Sequence, residues 1–355
     1  MSDYPIFVCD RQSVNSETIA ETDQMLLQQP NEASIVSPQQ IEKVPKKLAF
    51  AALFFALVAI SISAILVRLS ESEISFYATA FHRFWITALI LGAWLGIKNI
   101  KRAYSSIETD EESPASRSLT IDFSLIWRLI AAAAFLAADL VLWAWSLTQT
   151  TVANSTLLAN LTPIFTCFLG WLIWKKTIDR RFLLGLGIAI AGVGVMEIDG
   201  FSVSVVKVYG DIAALVAALA FGCYLLLIEQ LQEKLSTNTI VCLTSAIAAI
   251  FTLLMVLLDS GQVFPTSWQG WFLVVSLAII CNVFGQGLLV YSLTCLSPAF
   301  VAVVLLLDPV LAAIMSWIFC AEPISLLTWI VFLIVLTGIY LASSSKSALH
   351  KQLPL

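Results

Sequence analysis

Two stretches of the 355-residue chain align without gaps: "WSLTQTTVANSTLLANLTPIFTCFLGW" at 145–171 and "YSLTCLSPAFVAVVLLLDPVLAAIMSW" at 291–317. Ser146/Ser292, Leu147/Leu293, Thr148/Thr294, Ala153/Ala299, Pro163/Pro309 and Trp171/Trp317 match, and further on Gly192 matches Gly338. Leucine matches come cheaply in apolar sequence; matched Pro, Trp, Thr and Gly do not. The pair therefore marks an internal duplication. In the second copy an aspartate, Asp308, precedes the proline inside an apolar run.

Composition says what medium surrounds the duplication. The chain is 59% hydrophobic and 12% charged, whereas soluble domains carry roughly 25% charged residues. A bilayer core of about 30 Å needs about 20 apolar residues per helix. Runs of that kind lie near 48–67, 75–97, 126–147, 151–174 and 182–198, and again near 208–228, 239–258, 270–291, 297–320 and 324–343. The expected fold is an all-α integral membrane protein with ten transmembrane helices. The duplication divides them into two five-helix repeats, 48–198 and 208–343, joined by an extracytoplasmic connector at 199–207.

Five is odd, so a first unit that starts inside ends outside, and the second must lie upside down. Inverted repeats of this kind are a common plan of secondary transporters, with the ligand site near the bilayer midplane at the repeat interface. A cytoplasmic N-terminus puts fifteen Lys and Arg residues inside and only Arg68 and Lys207 outside. That positive-inside bias predicts cytoplasmic tails at 1–47 and 344–355, in an inner or plasma membrane. The first tail is acidic, Gln/Ser-rich and without an aromatic cluster, which reads as disorder rather than a signal peptide. Loop 98–125, with "SSIETDEESPASRS", reads as a solvated connector. The seven cysteines are odd in number and scattered without C-x-x-C spacing, so packing is expected rather than a disulfide or metal framework.

At 1.5 Å per residue, Arg83, Asp139, Asn160, Asn282 and Asp308 all fall near the middle of their spans. Gln286 follows Asn282 one turn later on the same face, and Asp139, Trp143 and Ser146 share a face by i, i+4, i+7 spacing. Ionisable groups at this depth are rare and mark substrate or proton paths. Arg83, Asp139, Trp143, Asn160, Asn282, Gln286 and Asp308 are therefore the candidate substrate-cavity residues, with Pro163 and Pro309 as helix-kink positions. Asp139 reads equally as a cavity acid or as an acid paired with Arg83 to hold helices together. One arginine against two midplane acids leaves one carboxylate neutral or bound to a cation. Burial and a neighbouring arginine act on a carboxyl in opposite senses, so unlike surroundings separate the two. Asp308, beside the expected kink, is the better candidate for contact with a proton or a substrate amine. His82 points about 100° from Arg83 and reads as a buried hydrogen-bonding residue.

With these residues placed, the chain resembles the ten-helix drug/metabolite transporter superfamily, and within it the EamA-type proteins. The resemblance rests on "FHRFWITALIL", "DLVLWAWSLTQTTVANSTLLANLTPIF", "GDIAALVAALAFGCYLLL", "NVFGQGLLVYSL" and "VVLLLDPVLAAIMSWIFCAEPI". Together these motifs cover nearly all of 48–343. It implies a secondary carrier with ten helices around a central cavity, Arg83 being the second-span arginine and Asp308-Pro309 the acidic-Pro pair. Two departures stand out: "AISISAILVRL" where many members carry Trp-Gly, and Asp in place of the commoner Glu at 308.

The expected function is secondary active transport, export of a small polar or amphipathic metabolite by alternating access, with an amino-acid-like substrate favoured. No G-x-x-x-x-G-K-[ST] loop is present to drive transport with ATP. The alternatives are a membrane sensor or channel and, further off, an intramembrane enzyme. An aspartyl hydrolase needs two carboxylates that share a proton, and neither "AADLV" nor "LLLDP" has the usual pattern. Expected partners are a small-molecule substrate, the lipid bilayer, protons as candidate coupling ion and a second copy in a candidate homodimer; cofactor, metal and nucleic acid are not expected.

Overall fold

The apolar runs become helices that meet one another through small residues and show their large ones outward. The computed structural model describes residues 45–70, 73–108, 123–150, 152–196, 208–259, 261–320 and 326–349. The segments 1–44, 109–122 and 197–207 and the last residues, 350–355, lie outside the described residues. So the expected tail disorder, the connector and most of the charged loop fall beyond them.

In chain order the helices are α1 (Lys46–Ser61), α2 (Ser63–Ser70), α3 (Phe76–Glu108), α4 (Phe123–Gln149), α5 (Val152–Ala159), α6 (Thr162–Trp174) and α7 (Arg180–Met196). Next come α8 (Val208–Leu231), α9 (Thr237–Leu258) and α10 (Trp268–Ser276), then a π-helical segment (Leu277–Gln286) running into α11 (Gly287–Ser292). The last are α12 (Pro298–Leu305), α13 (Asp308–Cys320) and α14 (Leu326–Ser343). No strand is formed among the described residues; one isolated bridge joins Leu296 to Leu349.

Helix therefore occupies every expected stretch, but not as ten uniform rods. Six segments among the described residues are long and apolar enough to cross a bilayer: Phe76–Lys101, Phe123–Gln149, Asn154–Trp174, Val208–Leu231, Thr237–Leu258 and Trp268–Ser292. The other four are shorter or interrupted. The stretch 297–320, read from sequence as one run, is split at Leu306-Leu307, and 151–174, although one of the six, has a turn at Asn160-Leu161. In each case a new helix begins with a proline in its first turn, Pro163 or Pro309, where the missing N–H costs nothing. The break at Ile62, between α1 and α2, was not legible, because no Pro or Gly stands there.

Local signals set several ends. Ser236, Ser267 and Ser297 cap α9, α10 and α12 by accepting from the backbone N–H three residues on, which satisfies an orphan donor. Lys175 closes α6 in the left-handed conformation, φ 50°, and the Lys176 N–H reaches back to Gly170 O.

Packing follows the small residues, as it does where lipid removes any hydrophobic drive between helices. Ala132, Ala133 and Ala137 of α4 and Ala213, Ala214, Ala217 and Ala218 of α8 are all buried, and these two helices lie side by side. The helix α3 packs on α9, and α1 packs on the π-helical segment and α11. The pair α7 and α14 crosses at glycines: a Cβ on Gly338 would lie 2.6 Å from Gly185 O. Large side chains such as Phe54, Phe55, Leu184, Leu257, Leu258, Phe272 and Leu333 point outward. So much exposed apolar surface suits a lipid solvent.

The glycine crossing yields a test. Gly338→Ala is expected to lower thermal stability in detergent by about 1–3 kcal/mol, the cost of overpacking. Gly187→Ala, where nothing lies within 4 Å of an added Cβ, is expected to leave the melting temperature unchanged. Equal melting of both variants would contradict the close crossing.

A candidate polar site between the broken helices

Charged and amide side chains inside hydrocarbon need protein partners, and those partners come from six separate helical segments. Arg83, on α3, donates from Nε to Asn282 Oδ1 at 2.5 Å. Asn282 returns a longer bond from Nδ2 to Arg83 O, 3.4 Å. One turn on, Gln286 donates from Nε2 to Tyr224 OH on α8 at 2.6 Å. Asp139, on α4, interacts electrostatically with both Arg83 and Tyr224. Asp308, at the start of α13, lies 2.6 Å from Ser61 Oγ at the end of α1. Cys281, buried on the π-helical segment, directly precedes Asn282.

Three hydrogen-bonded pairs result, Arg83–Asn282, Gln286–Tyr224 and Ser61–Asp308, and the first two share the π-helical segment. Asn282 and Gln286 reach their partners from that segment, whose wider turn sets both side chains on the inner face. Such segments recur at functional sites. Among the described residues, Asp139 makes no direct ion pair with Arg83, whose Nε goes to Asn282 instead. The arrangement offers a cation that suits a carboxylate and two acids that suit an amine, all three half-buried.

Of the residues singled out from sequence, Arg83, Asp139, Asn282, Gln286 and Asp308 come together. Trp143 lies one turn beyond Asp139 on α4, and its carbonyl accepts from Ser146 Oγ. Asn160 sits in the turn between α5 and α6 with its N–H bonded to Thr156 O. Among the described residues neither side chain is hydrogen-bonded into the cluster. Sequence reading missed Ser61, Tyr224 and Cys281. Ser61 and Tyr224 did carry a signal, a polar atom deep in an apolar run, but a serine can bond its own helix and a tyrosine near a span end reads as an interfacial anchor.

His82 has a separate role. Trp85 Nε1 donates to its Nδ1 at 2.8 Å, so Nε2 carries the ring hydrogen and donates to Val263 O at 2.9 Å. The imidazole is neutral, fully buried and edged by Phe264 and Trp271. It ties α3 to the segment before α10. On that same side Glu73 accepts from both Oγ and N–H of Ser267 at the start of α10. Toward the other end of the bundle, Lys176 pairs with Glu229. There Gln232 donates to Val290 O. Among the described residues no His/Cys/Asp/Glu group is placed to hold a metal.

The Arg83–Asn282 bond generates a prediction. Asn282→Ala leaves the guanidinium Nε without its acceptor and is expected to cost about 1.5–3 kcal/mol, the range for a hydrogen bond to a charged group. Thermal unfolding in detergent measures it; a variant as stable as the wild type would show that Arg83 does not depend on Asn282.

Comparison with known proteins agrees with this architecture. The family model described as "EamA-like transporter family" matches residues 47–197 and 208–344. An "Uncharacterized transporter" of Archaeoglobus fulgidus is 26% identical over 290 residues, 80% of this chain and 93% of that one. The "Pseudopaline exporter CntI" of Pseudomonas aeruginosa is 27% identical over 192 residues, 54% of this chain and 66% of that one. The "UDP-galactose transporter 1" of Arabidopsis thaliana is 24% identical over 240 residues, 64% of this chain and 70% of that one. A protein of known crystal structure shares the fold with a TM-score of 0.67 at 17% identity, over 84% of this chain and 97% of that one. The duplicated apolar helices, the buried polar cluster and two family matches that span most of the chain lead to one conclusion: the chain belongs to the EamA-like transporter family and is a multi-pass integral membrane protein.

Proposed function

We propose that the chain is a secondary active transporter that exports a small polar or amphipathic metabolite, an amino-acid-like one favoured, by alternating access of two inverted five-helix units. The observation that carries this reading is the buried cluster. It draws Arg83 and Asp139 from 48–198 and Asn282, Gln286 and Asp308 from 208–343, so a ligand bound there would touch both units at once.

The way helices pair supports the inversion. Exchanging the units turns α4 beside α8 into the π-helical segment and α11 beside α1, and both pairs pack closely. The same exchange maps α3–α9 onto itself, and likewise α7–α14. The α7–α14 crossing runs antiparallel: Gly185 meets Gly338 and Ala342, while Gly192 meets Ile334 and Val335. A two-fold axis in the membrane plane gives this pattern, with ten spans and both termini cytoplasmic.

The chemistry of the cluster favours a ligand bearing an amine and a carboxylate. Arg83 offers two-pronged hydrogen bonding to a carboxylate, and the acids offer a counter-charge for an amine. Asp308 is the candidate for a coupling proton. The names of two relatives speak of export of pseudopaline and of transport of UDP-galactose.

Metabolite profiling of medium and cytosol tests the reading, with wild type and Asp308→Asn at matched membrane levels. A compound is expected to accumulate outside with wild type and to fall at least about tenfold in the variant, the loss equivalent to about 1.4 kcal/mol. Equal export by both would remove Asp308 from the site. In vesicles loaded with that compound, saturable counterflow is expected, and flux that rises linearly with concentration would replace the carrier with a channel.

A further inference from the structure

The hydroxyl of Ser61 has two partners and one hydrogen. Its Oγ lies 2.6 Å from Asp308 Oδ1 and 2.9 Å from Leu57 O, both within hydrogen-bond range. A carbonyl and an ionised carboxylate are both acceptors only, so a single hydroxyl hydrogen serves one and leaves the other contact empty. Ser61 is 1% exposed, which shields its hydroxyl from solvent. A protonated Asp308 supplies the missing hydrogen: Asp308 O–H donates to Ser61 Oγ, and Ser61 O–H donates to Leu57 O. Two contacts then have two hydrogens.

We infer that Asp308 holds a proton in this conformation, and that Ser61 is the positioning residue through which loss of that proton reaches the helix break at Ile62. The inference rests on the transport reading for its purpose but not for its geometry. When the proton leaves Asp308 for water in an opened cavity, the Ser61 hydrogen turns from Leu57 O to the new carboxylate. The Asp308 O–H bond breaks and water takes the proton; the acid's hydrogen bond to Ser61 Oγ and the Ser61 bond to Leu57 O are lost, and one charge-assisted bond from Ser61 to the carboxylate is gained. A Ser side chain bonded to the carbonyl four residues back bends a helix. The Ser61–Leu57 bond lies in the last turn of α1, where Ile62 interrupts it. The charge on Asp308, in one unit, is thereby coupled to the bend of α1 in the other.

The pseudo-equivalent crossing shows that the pair is not a by-product of the architecture. Gly222 stands as far into the second family match as Ser61 stands into the first, and Thr162 aligns with Asp308 in the duplicated stretches. There the contact is plain packing: a Cβ on Gly222 would lie 3.1 Å from Thr166 Oγ1 and 3.2 Å from its N. Hydroxyl and acid face each other at only one of the two crossings.

The titratable neighbours of Asp308 are few. The π-helical segment contributes Cys281, which interacts with it, and Arg83 beyond, which interacts with Cys281. Asp139 lies past Arg83. On α1 the ionisable side chains are Lys46 and Lys47 at its far end, and on α14 it is Tyr340 near its last turn.

Infrared spectra of the full chain in lipid vesicles test the inference without any substrate. A carboxylic-acid carbonyl band that disappears in Asp308→Asn is expected at acidic to neutral pH. In Ser61→Ala that band is expected to move to higher frequency, as the acid loses its acceptor; in Ser61→Thr, which keeps the hydroxyl, it is expected to stay. If Ser61→Ala does not reconstitute, Ser61→Cys replaces it, the weak sulfur acceptor giving the same shift in smaller measure. Absence of any Asp308-dependent acid band, or a band unmoved by loss of the Ser61 hydroxyl, overturns the inference and leaves the transport reading intact. A failed transport assay, conversely, leaves the spectra to stand alone.

Discussion

A guanidinium held within a lipid-embedded helix bundle needs partners supplied by protein, and Arg83 finds its acceptor in Asn282. That one requirement organises the interior. Asn282 faces Arg83 from the wide turn of the π-helical segment, and the same turn carries Gln286 to Tyr224 on α8. Asp139 stands on α4, which packs along α8. Polar satisfaction, rather than apolar packing, decides where the helices converge, because lipid and leucine are equally comfortable for an apolar face.

The backbone meets the same constraint in another way. Two long apolar stretches are broken by prolines at matching positions, and α1 is broken at Ile62 without one. Broken helices leave backbone groups that hydrocarbon will not solvate, so they persist only where protein or a wet cavity receives them. Asp308 and Ser61 sit at two of these breaks and face each other across the unit boundary. The third break, before Thr162-Pro163, lies against the close crossing of α6 and α8 at Gly222. The duplicated scaffold is thus nearly symmetric in its helices and asymmetric in its chemistry.

Much of this was legible in the sequence, for identifiable reasons. Matched Pro163 and Pro309 announce breaks because proline removes a donor wherever it stands. Arg83, Asp139, Asn282 and Asp308 announce themselves because polar atoms are costly at that depth, and the geometry brings them into one cluster. The π-helical segment was not legible, since its wide turn answers to the packing of α1 and α3 rather than to local propensity. Nor was the break at Ile62, which has no residue signature and which ends at the Ser61–Leu57 bond. Asn160 and Trp143 stand at comparable depth, yet among the described residues neither side chain is hydrogen-bonded to the other candidates: depth on a span does not fix the direction of a side chain. Periodicity places a residue along the membrane normal, and only tertiary contacts place it around the helix.

The central claim is that the cluster is reached from the two faces of the membrane in turn, and the native Cys281 reports on it directly. It is buried in the conformation described, next to Asn282 on the π-helical segment, so its reactivity measures opening. A small membrane-impermeant thiol reagent would be applied to right-side-out and to inside-out vesicles, with the Cys281 peptide read by mass spectrometry. The account predicts modification from both faces, slowed by a transported substrate. Modification from neither face, while the unfolded chain reacts readily, would contradict it.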